Sequence, residues 1–110
     1  MTDWLQKKCQ SCVGITGTIE RSDAIAYLQQ MPSWKLDEAS ISISRHFDFK
    51  NFKQTIFFIN AMAFLCEKEG HHPDVKFGYN YCDISLTTHA LGGLSENDFI
   101  IASKIDQLLA

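Results

Sequence analysis

Polar and apolar positions alternate along ASISISRHFDF, residues 39–49. Ile41, Ile43, Phe47 and Phe49 fall on one side, and Ser40, Ser42, His46 and Asp48 on the other. A period of two predicts a strand with one wet face. The same alternation returns from Tyr81, with Cys82, Ile84 and Leu86 on one face and Asp83, Ser85, Thr87 and His89 on the other. Between the two, the period changes to that of a helix. Phe52, Ile56, Ile59, Ala63 and Cys66 form a stripe over about Phe52 to Glu69. Asn51 is placed to cap its start, and Gly70 to supply the left-handed residue that ends it.

Phe57, Phe58, Phe64 and Leu65 lie partly off that stripe. A helix apolar on more than one face is central or packed on a partner, and in so short a chain a subunit contact is the expectation. A first helix is predicted over about Ile19 to Met31, with Ala24, Ile25, Leu28 and Met31 on one stripe, stopped by Pro32. A last helix should open at Ser95-Glu96-Asn97-Asp98, which has the form of a capping box. Its apolar stripe is Ile101, Ile105 and Leu108, and Gly92-Gly93 makes the turn before it. Residues 1–17 have weak periodicity and turn formers at Gly14 and Gly17, and read as a flexible arm preceding a single domain at 18–110. The order predicts an α+β fold: an antiparallel sheet of about four strands with about three helices packed on one face.

Composition narrows the function. The chain has 110 residues, 45% hydrophobic with eight Phe, which suits one domain with an ordinary core. A net charge of −3 offers no basic surface for nucleic acid. The most apolar run, Ile56 to Cys66, is too short to span a bilayer, and the first residues lack the apolar segment of a secretory signal. A cytoplasmic protein is the expectation. Cys66 and Cys82 sit in apolar contexts and read as small buried hydrophobes. Cys9 and Cys12 form a CxxC, but neither the strand-to-helix context of a redox motif nor a second pair for zinc accompanies it.

The chemistry gathers in GHHPDVKFGYNYCDISLTTH, residues 70–89. Adjacent residues in an extended segment point to opposite sides, so His71 and His72 share a pocket only if the backbone turns between Gly70 and Pro73. A hairpin return would bring His89 near the pair. Three imidazoles suit proton transfer near neutral pH, because both protonation states are accessible. Zinc held by the histidines with Asp98 or Cys82 is a legal alternative, although adjacent histidines are an awkward bite for one tetrahedral ion. The third reading is that His71 and His72 only decorate a helix exit. Asp98 likewise has a plain reading, as the acidic cap of the last helix.

EKEGHHP, YNYCDISLTTH, GGLSENDF and ASKIDQ resemble the pterin-4a-carbinolamine dehydratases. The resemblance runs without gaps from Glu67 to about Gln107 and more loosely back through RHFDFKNF and Trp34. It implies a dehydratase needing no metal or cofactor, which removes water from 4a-hydroxytetrahydrobiopterin during tetrahydrobiopterin recycling. His71, His72 and His89 are then the catalytic histidines and Asp98 their acidic partner. Gly70, Thr87, Thr88 and Ala90, with the histidines, would line the pterin pocket. Such proteins are expected to be homodimers or homotetramers. The resemblance also implies an alternative role: family members in animals stabilise a dimeric homeodomain transcription factor. The chain departs from the usual pattern at Val75, where Trp is common, at Tyr81 and Cys82, and at Ala90, which replaces an acidic residue. None of these removes a proton-transfer group.

Overall fold

The computed structural model describes residues 3–10 and 17–109. Helix α1 (Arg21–Leu28) is followed by strands β1 (Lys35–Leu36) and β2 (Ile43–Asp48) and helix α2 (Phe52–Glu69). Strands β3 (Asp74–Phe77) and β4 (Tyr81–Leu86) and helix α3 (Glu96–Gln107) complete the order. The four strands form one antiparallel sheet in the order β1-β2-β4-β3. This is the expected α+β architecture.

Register decides which face is dry. Ile43 pairs with Leu86, Arg45 with Ile84 and Phe47 with Cys82, so these side chains share one side of the sheet. Ile43, Phe47, Cys82, Ile84 and Leu86 are all buried there. Phe58 of α2 meets Phe47 at 4.8 Å between ring centroids. Arg45 lies over the Phe47 ring and pairs with Asp106 of α3, which also accepts the Trp34 indole N–H at 2.8 Å. The opposite face carries Ser44, His46, Asp48 and Asp83.

Several boundaries differ from the periodic pattern, each for a local reason. Helix α1 is shorter than 19–31, because Ile19 gives its N–H to the Leu94 carbonyl at 2.8 Å instead of starting a helix. Its stripe is also narrower, with Ala24 buried and Ile25 exposed. Strand β2 begins at Ile43, not before: the Asp37 carboxylate takes the N–H groups of Ile41 and Ser42, and Ile41 is left outside the core. In α2 the buried stripe is Thr55, Phe58, Met62 and Cys66, not the one through Phe52 and Ala63. Both sides of this helix are apolar, and its neighbours, not its period, choose the side that packs. Phe57 and Phe64 are consequently 62% and 74% exposed. The predicted ends of α2 are in place. Asn51 Oδ1 accepts the Gln54 N–H at 2.9 Å, and Gly70 sits at φ +72°.

Residues 3–10, read as part of a loosely held arm, dock through Trp4. This side chain is 4% exposed and packs edge-on against Tyr27, with Phe99 on another side. A single tryptophan has no period, so the pattern gave no sign of it. Among the described residues no helix is long and apolar enough to cross a membrane.

Candidate functional site

The end of α2 aims the first histidine. The N–H groups of Gly70 and His71 both reach the Cys66 carbonyl, at 2.9 and 3.2 Å. The left-handed turn at Gly70 reverses the chain and carries the His71 side chain inward, where it is 7% exposed. His72 points the other way, as adjacent positions in extended backbone must. It is 62% exposed and lies 2.8 Å from the Glu67 carboxylate, one turn back on α2. The two neighbours therefore take separate partners.

His71 meets Asp98. Its Nε2 lies 2.6 Å from Asp98 Oδ1, and the carboxylate is fully buried. The other oxygen, Oδ2, accepts the Ser95 N–H at 3.0 Å and the Thr88 hydroxyl at 2.9 Å. Asp98 is thus the helix cap that the local pattern predicts and, through its second oxygen, a histidine partner. The start of α3 favours a negative charge there. An ionised carboxylate can only accept, so Nε2 of His71 carries the hydrogen that faces Asp98, and Nδ1 is the ring nitrogen turned away from it. Among the described residues Nδ1 makes no hydrogen bond.

His89 is not part of a strand. β4 ends at Leu86, Thr88 forms an isolated bridge with Gly93, and His89 opens a short 3-10 turn to Leu91. The turn closes at Gly92, at φ +68°, whose N–H reaches the His89 carbonyl. The alternation of polar residues at 85, 87 and 89 is continuous, but pairing with β2 has stopped. The His89 ring is exposed, with Nε2 3.6 Å from Asp74 Oδ2. Asp74 opens β3 two residues after His72 and pairs with Ser85. Two carboxylates thus link the segments: Asp98 between His71 and Thr88, and Asp74 across to His89. Asp74 was not among the sequence candidates, since its place opposite His89 depends on strand register. Of the other candidates, Thr87 donates to the Ile41 carbonyl, and Gly70 and Ala90 are exposed beside the histidines.

A brace holds the ends of α2 and α3 together. The Glu69 carboxylate accepts the Cys9 N–H at 2.9 Å on one oxygen and Lys104 Nζ at 2.9 Å on the other. Asn97 exchanges two hydrogen bonds with the Gln10 main chain, at 2.9 and 2.8 Å. Burial would push the Glu69 carboxyl up, but the Cys9 N–H and Lys104 outweigh it and hold it below the ordinary value. Burial, with Glu69 nearby, pushes the Cys9 thiol up to about 12, so it stays protonated. Cys12 lies outside the described residues.

In the zinc reading, Cys82 or Asp98 would join the histidines. Cys82 is buried on the helix side of the sheet, and burial pushes its thiol to about 11. Among the described residues no group of three or more His, Cys, Asp or Glu side chains is arranged to hold a metal ion. The fourth histidine, His46, stands on the wet face between Asp83 and Asp48. A cavity of about 480 Å³, lined by Lys7, Lys8, Thr18, Ser95, Asn97 and Ile100 among others, has no histidine in its wall.

Residues 18–108 match the family model described as "Pterin 4 alpha carbinolamine dehydratase". A protein of Nitrosomonas eutropha named "Putative pterin-4-alpha-carbinolamine dehydratase" is 47% identical over 108 residues, covering 97% of this chain and 94% of its own. One of the same name from Legionella pneumophila (strain Lens) is 45% identical over 109 residues, covering 98% and 96%. Among solved structures, a "transcriptional coactivator/pterin dehydratase" of Brucella melitensis superposes with a TM-score of 0.81 at 29% identity, over 86% of this chain and 100% of that one. A "pterin dehydratase-like protein" identified as a RuBisCO assembly factor gives 0.61 at 31% identity, over 69% and 88%.

Proposed function

The chain belongs to the pterin-4a-carbinolamine dehydratase family, and from that premise we propose that it is a working dehydratase. It removes water from 4a-hydroxytetrahydrobiopterin to give the quinonoid dihydropterin, a cytoplasmic step in tetrahydrobiopterin recycling. The observation that carries this reading is the buried His71–Asp98 pair, set between the helix end and the turn that bears His89.

In the elimination the C4a–O bond breaks. One proton goes to the departing hydroxyl, which leaves as water, and one leaves ring N5. His71 suits the base. Asp98 fixes Nε2–H, so Nδ1 takes the N5 proton, and the buried carboxylate stabilises the imidazolium that forms. His89 suits the acid: its ring is exposed, 3.6 Å from the Asp74 carboxylate, and recovers a proton from water after giving one to the hydroxyl. His72, steadied by Glu67, orients the pterin, with Gly70, Thr87 and Ala90 on the pocket rim. A positioned acid or base contributes about 10²–10⁴-fold.

The test is a stopped-flow dehydration assay on carbinolamine generated enzymatically in situ. Wild type should accelerate loss of water, His71→Ala and His89→Ala should each remove most of the gain, and His72→Ala should act mainly on KM. A wild-type protein that leaves the spontaneous rate unchanged ends the proposal.

The exposed Phe57 and Phe64 of α2 favour a second reading, an interaction protein such as a dimerisation cofactor of a transcription factor. The same face would serve a homodimer or homotetramer. Phe57→Glu with Phe64→Glu should abolish association and spare dehydration, whereas the histidine variants should do the reverse.

A further inference from the structure

We propose that Thr88 is a positioning residue for the His71–Asp98 pair and not a contact to the pterin; this rests on the dehydratase reading above. Three observations carry it. Thr88 is 1% exposed, so little of it is left to meet a ligand. Its hydroxyl lies 2.9 Å from Asp98 Oδ2 and 2.7 Å from Ser95 Oγ. Its main chain is pinned, with its N–H on the Gly93 carbonyl at 2.9 Å and its own carbonyl taken by Leu91 N–H at 3.0 Å.

A hydroxyl has one hydrogen. Thr88 gives it to Asp98, the one partner of the two that cannot donate, and Ser95 Oγ–H must then donate to Thr88. The result is a directed chain: Ser95 to Thr88, Thr88 to Asp98 Oδ2, with His71 Nε2–H arriving at Oδ1. Thr88 and the Ser95 N–H together fill one carboxylate oxygen and so fix the rotation of the group. That rotation presents Oδ1 to His71, which in turn keeps the hydrogen on Nε2 and Nδ1 open. Chains of this kind reinforce each bond within them.

The test compares wild type with Thr88→Val, which keeps the shape and removes the hydroxyl, and with Thr88→Ser, which restores it. Loss of one hydrogen bond to a charged group should lower kcat about tenfold or more with little change in KM. Thr88→Ser should recover most of that loss. Nitrogen-15 spectra of labelled histidine should show one His71 tautomer in wild type and in Thr88→Ser, and a mixture in Thr88→Val. This spectrum needs no turnover, so inactivity of the wild type would sink the dehydratase reading while leaving the role of Thr88 still measurable. A raised KM with unchanged kcat would make Thr88 a substrate contact and overturn the proposal. So would a lowered melting temperature with kcat and tautomer unchanged. If Thr88→Val does not fold, Ser95→Ala should produce the tautomer mixture in smaller degree, and a single tautomer there overturns it.

Discussion

Asp98 holds His71 by one carboxylate oxygen and the start of α3 by the other, at 2.6 and 3.0 Å. One side chain therefore couples the helix to the ring, and the coupling can be cut selectively. Asp98→Asn keeps the size but removes the charge and one acceptor. It should lower kcat by about 10²-fold or more, since His71, the proposed base, loses both its orientation and its counter-charge. It should cost about 1 kcal/mol of stability through the weakened cap. Dehydration kinetics and urea denaturation on the same preparation check both; an Asn variant with near-wild-type kcat would remove Asp98 from the mechanism.

Gly70 is where the chain turns inward. At φ +72° an alanine costs about 1 kcal/mol. Among the described residues, its chain neighbours aside, no atom lies within 4 Å of that Cβ, so the strain is in the backbone. Gly70→Ala should fold with a lower melting temperature and lose more activity than stability, because His71 is the next residue. Equal activity would mean that the turn does not aim the ring.

Trp4 offers a stability test of residues 3–10. Trp4→Ala removes a buried ring that touches Tyr27 and Phe99, and should cost about 3 kcal/mol in urea denaturation. A loss below about 0.5 kcal/mol, the size of an ordinary surface change, would show that the segment contributes little.

His46 should make stability depend on pH. Hydrogen bonds donated by its ring to the Asp83 and Asp48 carboxylates raise its pKa above 6.5 in the folded protein. A raised folded value means that the contribution is fully present below the unfolded pKa and is lost as pH rises through the folded one. Stability should therefore decline from about pH 6.5 upward, and His46→Gln should flatten that decline. The His46 imidazole titration, followed by NMR, should have its midpoint above 6.5. A midpoint at or below that value would contradict the geometry.

The parts of this fold that rest on local chemistry were legible in the sequence. Asn51, Gly70 and the Ser95–Asp98 box each act within four residues, and each stands where the pattern puts it. Features set by distant partners were not. The rotation of α2 towards Thr55 and Phe58 depends on which side Phe47 and Phe49 occupy. The early end of β4 depends on where β2 stops pairing, and the Asp74–His89 approach on the register of β3. Trp4 is the plainest case, because one residue carries no periodicity. His71 and Asp98 stood out as motif members, but only the fold shows which of the two adjacent rings the carboxylate receives.

The brace at Glu69 and Asn97 has one more consequence. From the N-terminal side Gln10 bonds through main-chain groups alone, and Cys9 through its N–H and, to the Asn97 carbonyl, its thiol, whereas Glu69 and Asn97 meet those main-chain groups with side chains. Tolerance to substitution should then be lopsided. A randomised library would accept many residues at position 10, whose backbone any amino acid other than proline can replace, while Glu69 and Asn97 would be recovered almost unchanged.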